Sequence, residues 1–372
     1  MKSISTLQTE KKTLALNLPL EGFRLSRGGV LKKVEVAYEI LGEPRGNNVI
    51  YICHALTGDS HVAGVYGSED KKGGWWDFYV GPGKPVDTNK YCIVCANVLG
   101  GCSGTTGPGS IDPETGKEYG VSFPEMLIRD MTEVQYLLLK QLGIEHLYAV
   151  VGGSMGALNA LDWTVAHPGF ADKAICIAGA ASLSAMNLSF DIIGRNMIMR
   201  DPGWNEGNYY QSEAKPYSGL ALARMIAHIT YLSKQAMEVK FGRLEKKADA
   251  PKSIFNTAFQ IESYLDYQGE AFVSRFDANS YLYITKAMDE FDITEGFTPP
   301  HSVFSKSQTD FMVVALSSDW LFPPDESKEI ASILLRAGKK VTYCEIDSDF
   351  GHDAFLLKND DMVRVLSSFL DG

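Results

Sequence analysis

At 372 residues the chain is long enough for roughly two domains, and with 45% hydrophobic and 22% charged residues it can bury a large core. Its formal charge of −11 argues against nucleic acid or an acidic membrane as partner, while leaving room for one phosphate-bearing small molecule. Apolar runs are only a few residues long, far short of the ~20 that a membrane span needs, and no secretory signal pattern opens the sequence, so a cytoplasmic protein is expected.

Residues 22–41 alternate around Gly28-Gly29 and predict a β-hairpin. Short continuous apolar runs at 48–53 and 91–98 suit strands buried on both faces of a parallel sheet. Within the second run, Cys92 and Cys95 have C-x-x-C spacing, but strand alternation sends them to opposite faces. The six cysteines are otherwise scattered and read as reduced structural thiols, with no metal site expected. A Gly-rich run at 100–109 lacks the Gly-Lys-Ser/Thr ending of a phosphate loop and reads as tight turns beside the active site.

Ser122-Phe123-Pro124-Glu125 has capping-box spacing ahead of a helix whose apolar face carries Leu127, Met131, Val134 and Leu138. Strand-like runs follow at 147–151 and 174–178. From 184 to 300 the alternation stops. This stretch holds seventeen Phe, Trp and Tyr residues, has helix-like patches such as 220–233, and is too long for a loop. Strands resume at 311–316 and 341–346, with helices at 325–337 and 360–370. The pattern predicts an α/β fold with a mainly parallel sheet flanked by helices, built from 1–183 and 301–372 and interrupted by a helical cap at 184–300.

Gly152-Gly153-Ser154-Met155-Gly156 is a G-x-S-x-G match between a strand pattern and a helix pattern, the context of a nucleophile elbow. There a strained turn exposes the Ser154 hydroxyl, and the Met155 N–H at the following helix start can receive developing negative charge. Such a serine needs a base, with an acid ahead of it in the order Ser, Asp, His. His352 follows the run 341–346 and Asp319 follows 311–316, so they are the base and acid candidates. His167 reads as a surface residue, His228 as part of the cap, and His301 as its exit. The loop His54-Ala-Leu-Thr-Gly58 stands where the second oxyanion donor is expected. The Leu56 N–H is chosen, with His54 as a support for that loop.

These residues resemble the homoserine O-acetyltransferases of methionine biosynthesis, on the α/β-hydrolase fold. The likeness spans nearly the whole chain and includes His54–Gly58, Trp75-Trp76, Asn97 to Pro108, the elbow, 315–323 and 350–356. Its most specific block is Gly-Gly-Cys-Ser-Gly-Thr-Thr-Gly-Pro at 100–108. The resemblance implies Ser154 as nucleophile, His352 as general base and Asp319 as its orienting acid. It further implies Arg224 for the homoserine carboxylate, Asp353 for the amino group and Tyr231 as a pocket residue. Acetyl-CoA is implied as co-substrate, with no bound cofactor, and a homodimer packed through the caps. The same scaffold leaves open succinyl-CoA as donor or serine as acceptor. An esterase with water as acceptor, or a non-catalytic binding protein of this fold, are the more distant alternatives.

Overall fold

A computed structural model describes residues 7–67, 69–70, 72–245 and 259–372. Its strands in chain order are β1 (Lys12–Ala15), β2 (Phe23–Arg24), β3 (Val30–Leu31), β4 (Glu35–Leu41), β5 (Val49–Cys53), β6 (Cys92–Ala96), β7 (Leu147–Gly153), β8 (Ala171–Ile177), β9 (Asp310–Leu316) and β10 (Val341–Ile346). Eight of them form one sheet in the order β1-β4-β6-β5-β7-β8-β9-β10. Every pairing from β6 to β10 is parallel, while β4 runs antiparallel to both its neighbours.

The predicted hairpin at 22–41 is therefore shorter than expected. Only β2 and β3 pair as a hairpin, and β4 leaves it to join the main sheet against β6. Period-two alternation marks a strand but not its partner, and the edge strand β1 carried no such signal.

The central strands are buried on both faces. Val49, Tyr51 and Cys53 pack into one apolar layer with α1 (Ile128–Gln141) and α2 (Met155–Ala166). Ile50 and Ile52 pack into the other with α9 (Asp360–Asp371). Cys92 belongs to the first layer and Cys95 to the second, as strand alternation requires. All six cysteines are free thiols, and burial lifts those of Cys53, Cys95 and Cys176 well above the ordinary range.

Helix α1 starts one turn later than the sequence pattern suggests. Phe123 precedes Pro124 and is extended (ψ 131), because the proline ring disfavours helical backbone in the residue before it. The helix begins instead at Ile128, where Asp130 Oδ2 accepts the Leu127 N–H at 2.8 Å. Asp130 Oδ1 accepts both the Ser26 N–H and hydroxyl, at 2.8 and 2.7 Å, which ties the β2–β3 hairpin to this helix.

Between β8 and β9 the chain forms α3 (Ala185–Met199), α4 (Tyr217–Tyr231), α5 (Lys234–Lys240), α6 (Gln260–Val273) and α7 (Ala278–Asp289). α4 packs against α3 and α6. The base of this segment closes where the Ile293 N–H donates to the Ala181 carbonyl at 2.9 Å. After β9 comes α8 (Pro324–Arg336). No helix among the described residues is long and apolar enough to cross a membrane.

Candidate active site

The loops that leave the carboxyl ends of β5, β7, β9 and β10 converge, as ligand sites do on parallel sheets. Ser154 stands between β7 and α2 with φ 58 and ψ −128, a combination that side-chain-bearing residues avoid. Two glycines make the turn possible. A Cβ at Gly152 would collide with the Gly156 carbonyl, and one at Gly156 with the Cys53 carbonyl. The Ser154 N–H donates to Ile177 O at 3.0 Å, fixing the turn to β8.

The Ser154 hydroxyl lies 2.8 Å from His352 Nε2, and His352 Nδ1 lies 2.7 Å from Asp319 Oδ2. Asp319 is buried, and its Oδ1 accepts the N–H groups of Leu321 and Phe322 at 2.9 Å each. With both oxygens engaged, Asp319 fixes Nδ1 as the protonated nitrogen and leaves Nε2 as the acceptor for Ser154. The ring of His352 is held between Phe322, at 5.2 Å between centroids, and the edge of Phe355, at 5.7 Å. Trp76 Nε1–H donates to Phe355 O at 2.8 Å and braces the 3₁₀ turn (Gly351–Leu356) that carries His352. Burial alone would lower the His352 pKa, but the nearby Asp319, Asp353 and Glu326 outweigh it, and the net direction is upward.

Met155 opens α2, so its N–H has no acceptor inside the helix. Leu56 follows β5 and lines the same cavity as Ser154. His54 is buried beneath that loop: Nδ1–H donates to Ala55 O at 2.7 Å and Nε2 accepts the Val98 N–H at 3.1 Å. Burial lowers its pKa, and it stays a neutral brace. The Gly-rich run at 100–109 forms turns pinned to β4. Thr105 Oγ accepts the Ala37 N–H at 2.9 Å and Thr106 Oγ accepts the Glu35 N–H at 2.8 Å.

From α4, Arg224 stacks on the rings of Phe272 and Tyr231, at 4.7 and 5.4 Å, and donates to Thr57 Oγ at 3.3 Å. Its Nε is buried without a partner, and among the described residues it forms no ion pair. Asp353 neighbours His352, and burial raises its carboxyl above the usual range against the pull of His352 and Arg224. Arg224 lies near enough to lower the Asp353 pKa, against the larger effect of burial. Tyr231 lines the cavity beside Ser154.

The other histidines take different places. His228 is buried in α4 with Tyr264 Oη 3.0 Å from Nδ1. Burial, then Arg224, Lys240 and Arg275, push it down to about 3. His301 lies in a 3₁₀ turn (Pro300–Phe304). His167 is not the surface residue expected; its ring stacks on Tyr136 at 3.8 Å and is mostly covered. A histidine at a helix end still buries its apolar ring faces when an aromatic neighbour is one turn away in space.

Two further residues escaped sequence reasoning. Thr57 joins Arg224 and Arg275 to the loop of Leu56, accepting from Arg224 on its hydroxyl and from Arg275 on its carbonyl, the latter at 3.0 Å. Asp191, on α3, lines the cavity with Ser154. The only available signal was an acid within the apolar run of α3, four positions before Arg195. Among the described residues no group of three or more His, Cys, Asp or Glu could hold a metal ion.

The sequence profile of the alpha/beta hydrolase fold matches residues 48–359. The homoserine O-acetyltransferase of Methanobrevibacter ruminantium is 49% identical over 372 residues, covering 100% of this chain and 75% of that one. The homoserine O-succinyltransferase of Magnetococcus marinus is 48% identical over 355 residues, covering 93% and 90%. Among solved structures, the homoserine O-acetyltransferase from Bacillus anthracis superposes with a TM-score of 0.88 at 28% identity, over 98% of both chains. Esterase E22 also reaches 0.88, at 29% identity, over 98% of this chain and 100% of that one.

Proposed function

The chain belongs to the homoserine O-acetyltransferase family of the α/β hydrolase fold, and from that premise we propose that it moves the acetyl group of acetyl-CoA onto the hydroxyl of L-homoserine. The observation that carries this reading is 49% identity along the full chain to a protein of that name.

The reaction runs in two half-steps through an acyl-enzyme. His352 Nε2 takes the Ser154 proton as Oγ attacks the thioester carbonyl. The oxyanion is received by the Leu56 and Met155 N–H groups. Collapse of the tetrahedral intermediate expels the coenzyme A thiolate, which takes the proton back from His352. Homoserine then gives its hydroxyl proton to His352 and attacks the acetyl carbonyl; Ser154 Oγ leaves and is reprotonated. Asp319 holds the tautomer throughout and stabilises the transient imidazolium.

Arg224 can fork two hydrogen bonds to the amino-acid carboxylate, and its orphaned Nε supports that role. Asp353 suits the ammonium, whose arrival favours the ionised carboxylate. Tyr231, stacked by Arg224, shapes the pocket between them. The likeness to esterase E22 supports a rival reading with water as acceptor. The Arg224 and Asp353 pair favours the transferase, because water needs no such grip.

In this reading residues 184–300 form a cap over the site, and two copies pack through their caps. More than half of the exposed large apolar side chains among the described residues lie in that segment, Ile192, Ile193, Leu222 and Ile229 among them; sedimentation equilibrium tests the dimer. The setting is the cytoplasm, in methionine biosynthesis, with acetyl-CoA as the co-substrate and no resident cofactor. Free-thiol release from acetyl- and succinyl-CoA, with homoserine or serine as acceptor, tests the assignment. Release that continues beyond one equivalent per active site with no amino acid present would speak for the esterase.

A further inference from the structure

Where the segment 184–300 meets the Gly-rich run lies an open pocket of about 340 Å³, the size of a small-molecule site. Cys102 supplies part of its wall, and the ring of Tyr210 lies against Gly109, where a Cβ would stand 3.3 Å from it. Its charged lining residues are Lys215, Arg275 and Asp277. Asp277 is already engaged: it accepts the Tyr209 and Tyr210 hydroxyls at 2.6 and 3.0 Å and the Ser280 N–H at 2.8 Å. Lys215 Nζ donates to the Tyr209 and Tyr210 carbonyls at 2.8 and 2.7 Å, which leaves one ammonium N–H over. Arg275 donates from Nη1 to Thr57 O at 3.0 Å and keeps the rest of its fork. Neither cation forms an ion pair among the described residues, although the chain as a whole carries −11. Two unpaired cations in one pocket of an acidic protein fit a multiply charged anion.

Two links join this pocket to the active site. Leu220 on its wall, then Arg224, then Ala227 and Tyr231 beside Ser154 recur at helical spacing along one side of α4. At ~1.5 Å per residue, Leu220 stands about 10–16 Å from the last two. Arg224 and Arg275 also stack on one ring, that of Phe272, at 4.7 and 5.3 Å, and Arg275 holds the carbonyl of Thr57, next to Leu56. The exposed Leu222 and Ile229 lie on the opposite side of α4, away from the pocket.

Resting on the acyl-transfer reading above, we propose that this pocket seats the phosphate-bearing end of acetyl-CoA, with Lys215 and Arg275 on its phosphates. The pantetheine arm is about four peptide units long, or ~14 Å extended, which matches the span along α4. The arm then passes Arg224 and brings the thioester to Ser154. Coenzyme A leaves before homoserine arrives, so the arm and the amino acid use the space near Arg224 in turn.

The test is single-turnover acylation of the intact protein by acetyl-CoA and by S-acetylpantetheine, which has the same thioester and arm without phosphates or adenosine. A lost contact to a charged group costs roughly tenfold or more. The wild type should therefore favour acetyl-CoA by about 100-fold in kcat/KM, expressed in KM, for two such contacts. Lys215→Gln should lower kcat/KM for acetyl-CoA about tenfold and leave that for S-acetylpantetheine unchanged, while Lys215→Arg retains most of the difference. Arg275→Gln, which also frees Thr57, should slow both donors, and acetyl-CoA more. A wild type that takes both donors equally well overturns the inference and leaves the acyl-transfer reading standing. So does a Lys215→Gln protein that slows both donors alike, the mark of a lost brace on Tyr209 and Tyr210, or that slows neither. Should Lys215→Gln fail to fold, the ratio between donors in Arg275→Gln decides in its place. A wild type acylated by neither donor overturns the acyl-transfer reading, and this inference with it.

Discussion

Asp319 Oδ2 accepts the Nδ1–H of His352 at 2.7 Å, while its other oxygen is held by the Leu321 and Phe322 N–H groups. The carboxylate cannot turn away, so the imidazole ring cannot either. This one contact sets the tautomer of the group that must deprotonate Ser154, and Asp319 is the leading influence that raises its basicity.

A pH dependence follows with a definite sign. The His352 pKa lies above its ordinary value, ~6.5 for histidine, since Asp319, Asp353 and Glu326 together outweigh burial. Only neutral His352 can take the Ser154 proton. The acylation rate should therefore rise with pH through a midpoint above ~6.5. Asp319→Asn removes the leading raising influence, so the midpoint should move down while the rate falls by a factor on the order of 10⁴. Rate–pH profiles for both proteins check this, and a midpoint that stays put or rises would count against the assignment.

Arg224 and Asp353 should matter in the second half-reaction only. Arg224→Ala should leave acetyl-enzyme formation nearly normal and raise the KM for homoserine. A lost hydrogen bond to a charged group is worth roughly 1.5–3 kcal/mol, or about one to two orders of magnitude in affinity. Asp353→Asn should act similarly, with some effect on acylation because it adjoins His352. Single-turnover acylation beside a homoserine titration separates the steps. Equal losses in both would reopen the hydrolase reading.

The elbow also has a stability signature. Ser154 is held at φ 58 and ψ −128, where a Cβ is strained by about 1–3 kcal/mol. Ser154→Gly relieves that strain but costs about 0.5–1 kcal/mol through the freer unfolded chain. Ser154→Gly should therefore be more stable than Ser154→Ala by about 1 kcal/mol, although neither turns over. Paired urea titrations measure the difference, and an alanine variant as stable as the glycine one would mean the turn carries no such strain.

The elbow is legible in the sequence because its requirement is local: the turn needs glycine at 152 and 156, and the hydroxyl residue sits between them. Asp319 and His352 are legible as candidates because each lies on the loop that follows a strand-like run, in the order that the elbow requires. The place of β4 is not, since alternation says nothing of which strand lies beside it. The start of α1 is misread because the spacing of Ser122 and Glu125 matches a cap, while Pro124 between them forbids it. His167 is misread because its partner Tyr136 lies on another helix. Asp191 goes unnoticed for the same kind of reason: only the folding of α3 over the elbow makes it line the cavity with Ser154.

The central claim is that the Ser154 hydroxyl carries the acetyl group between donor and acceptor. Intact-mass measurement after mixing with acetyl-CoA alone tests it most directly. The account predicts one added acetyl group on the wild type, localised to Ser154, discharged when homoserine is added, and absent from Ser154→Ala. An acetylated Ser154→Ala protein, or a wild type that turns over acetyl-CoA and homoserine with no acetyl group ever appearing on Ser154, would contradict it.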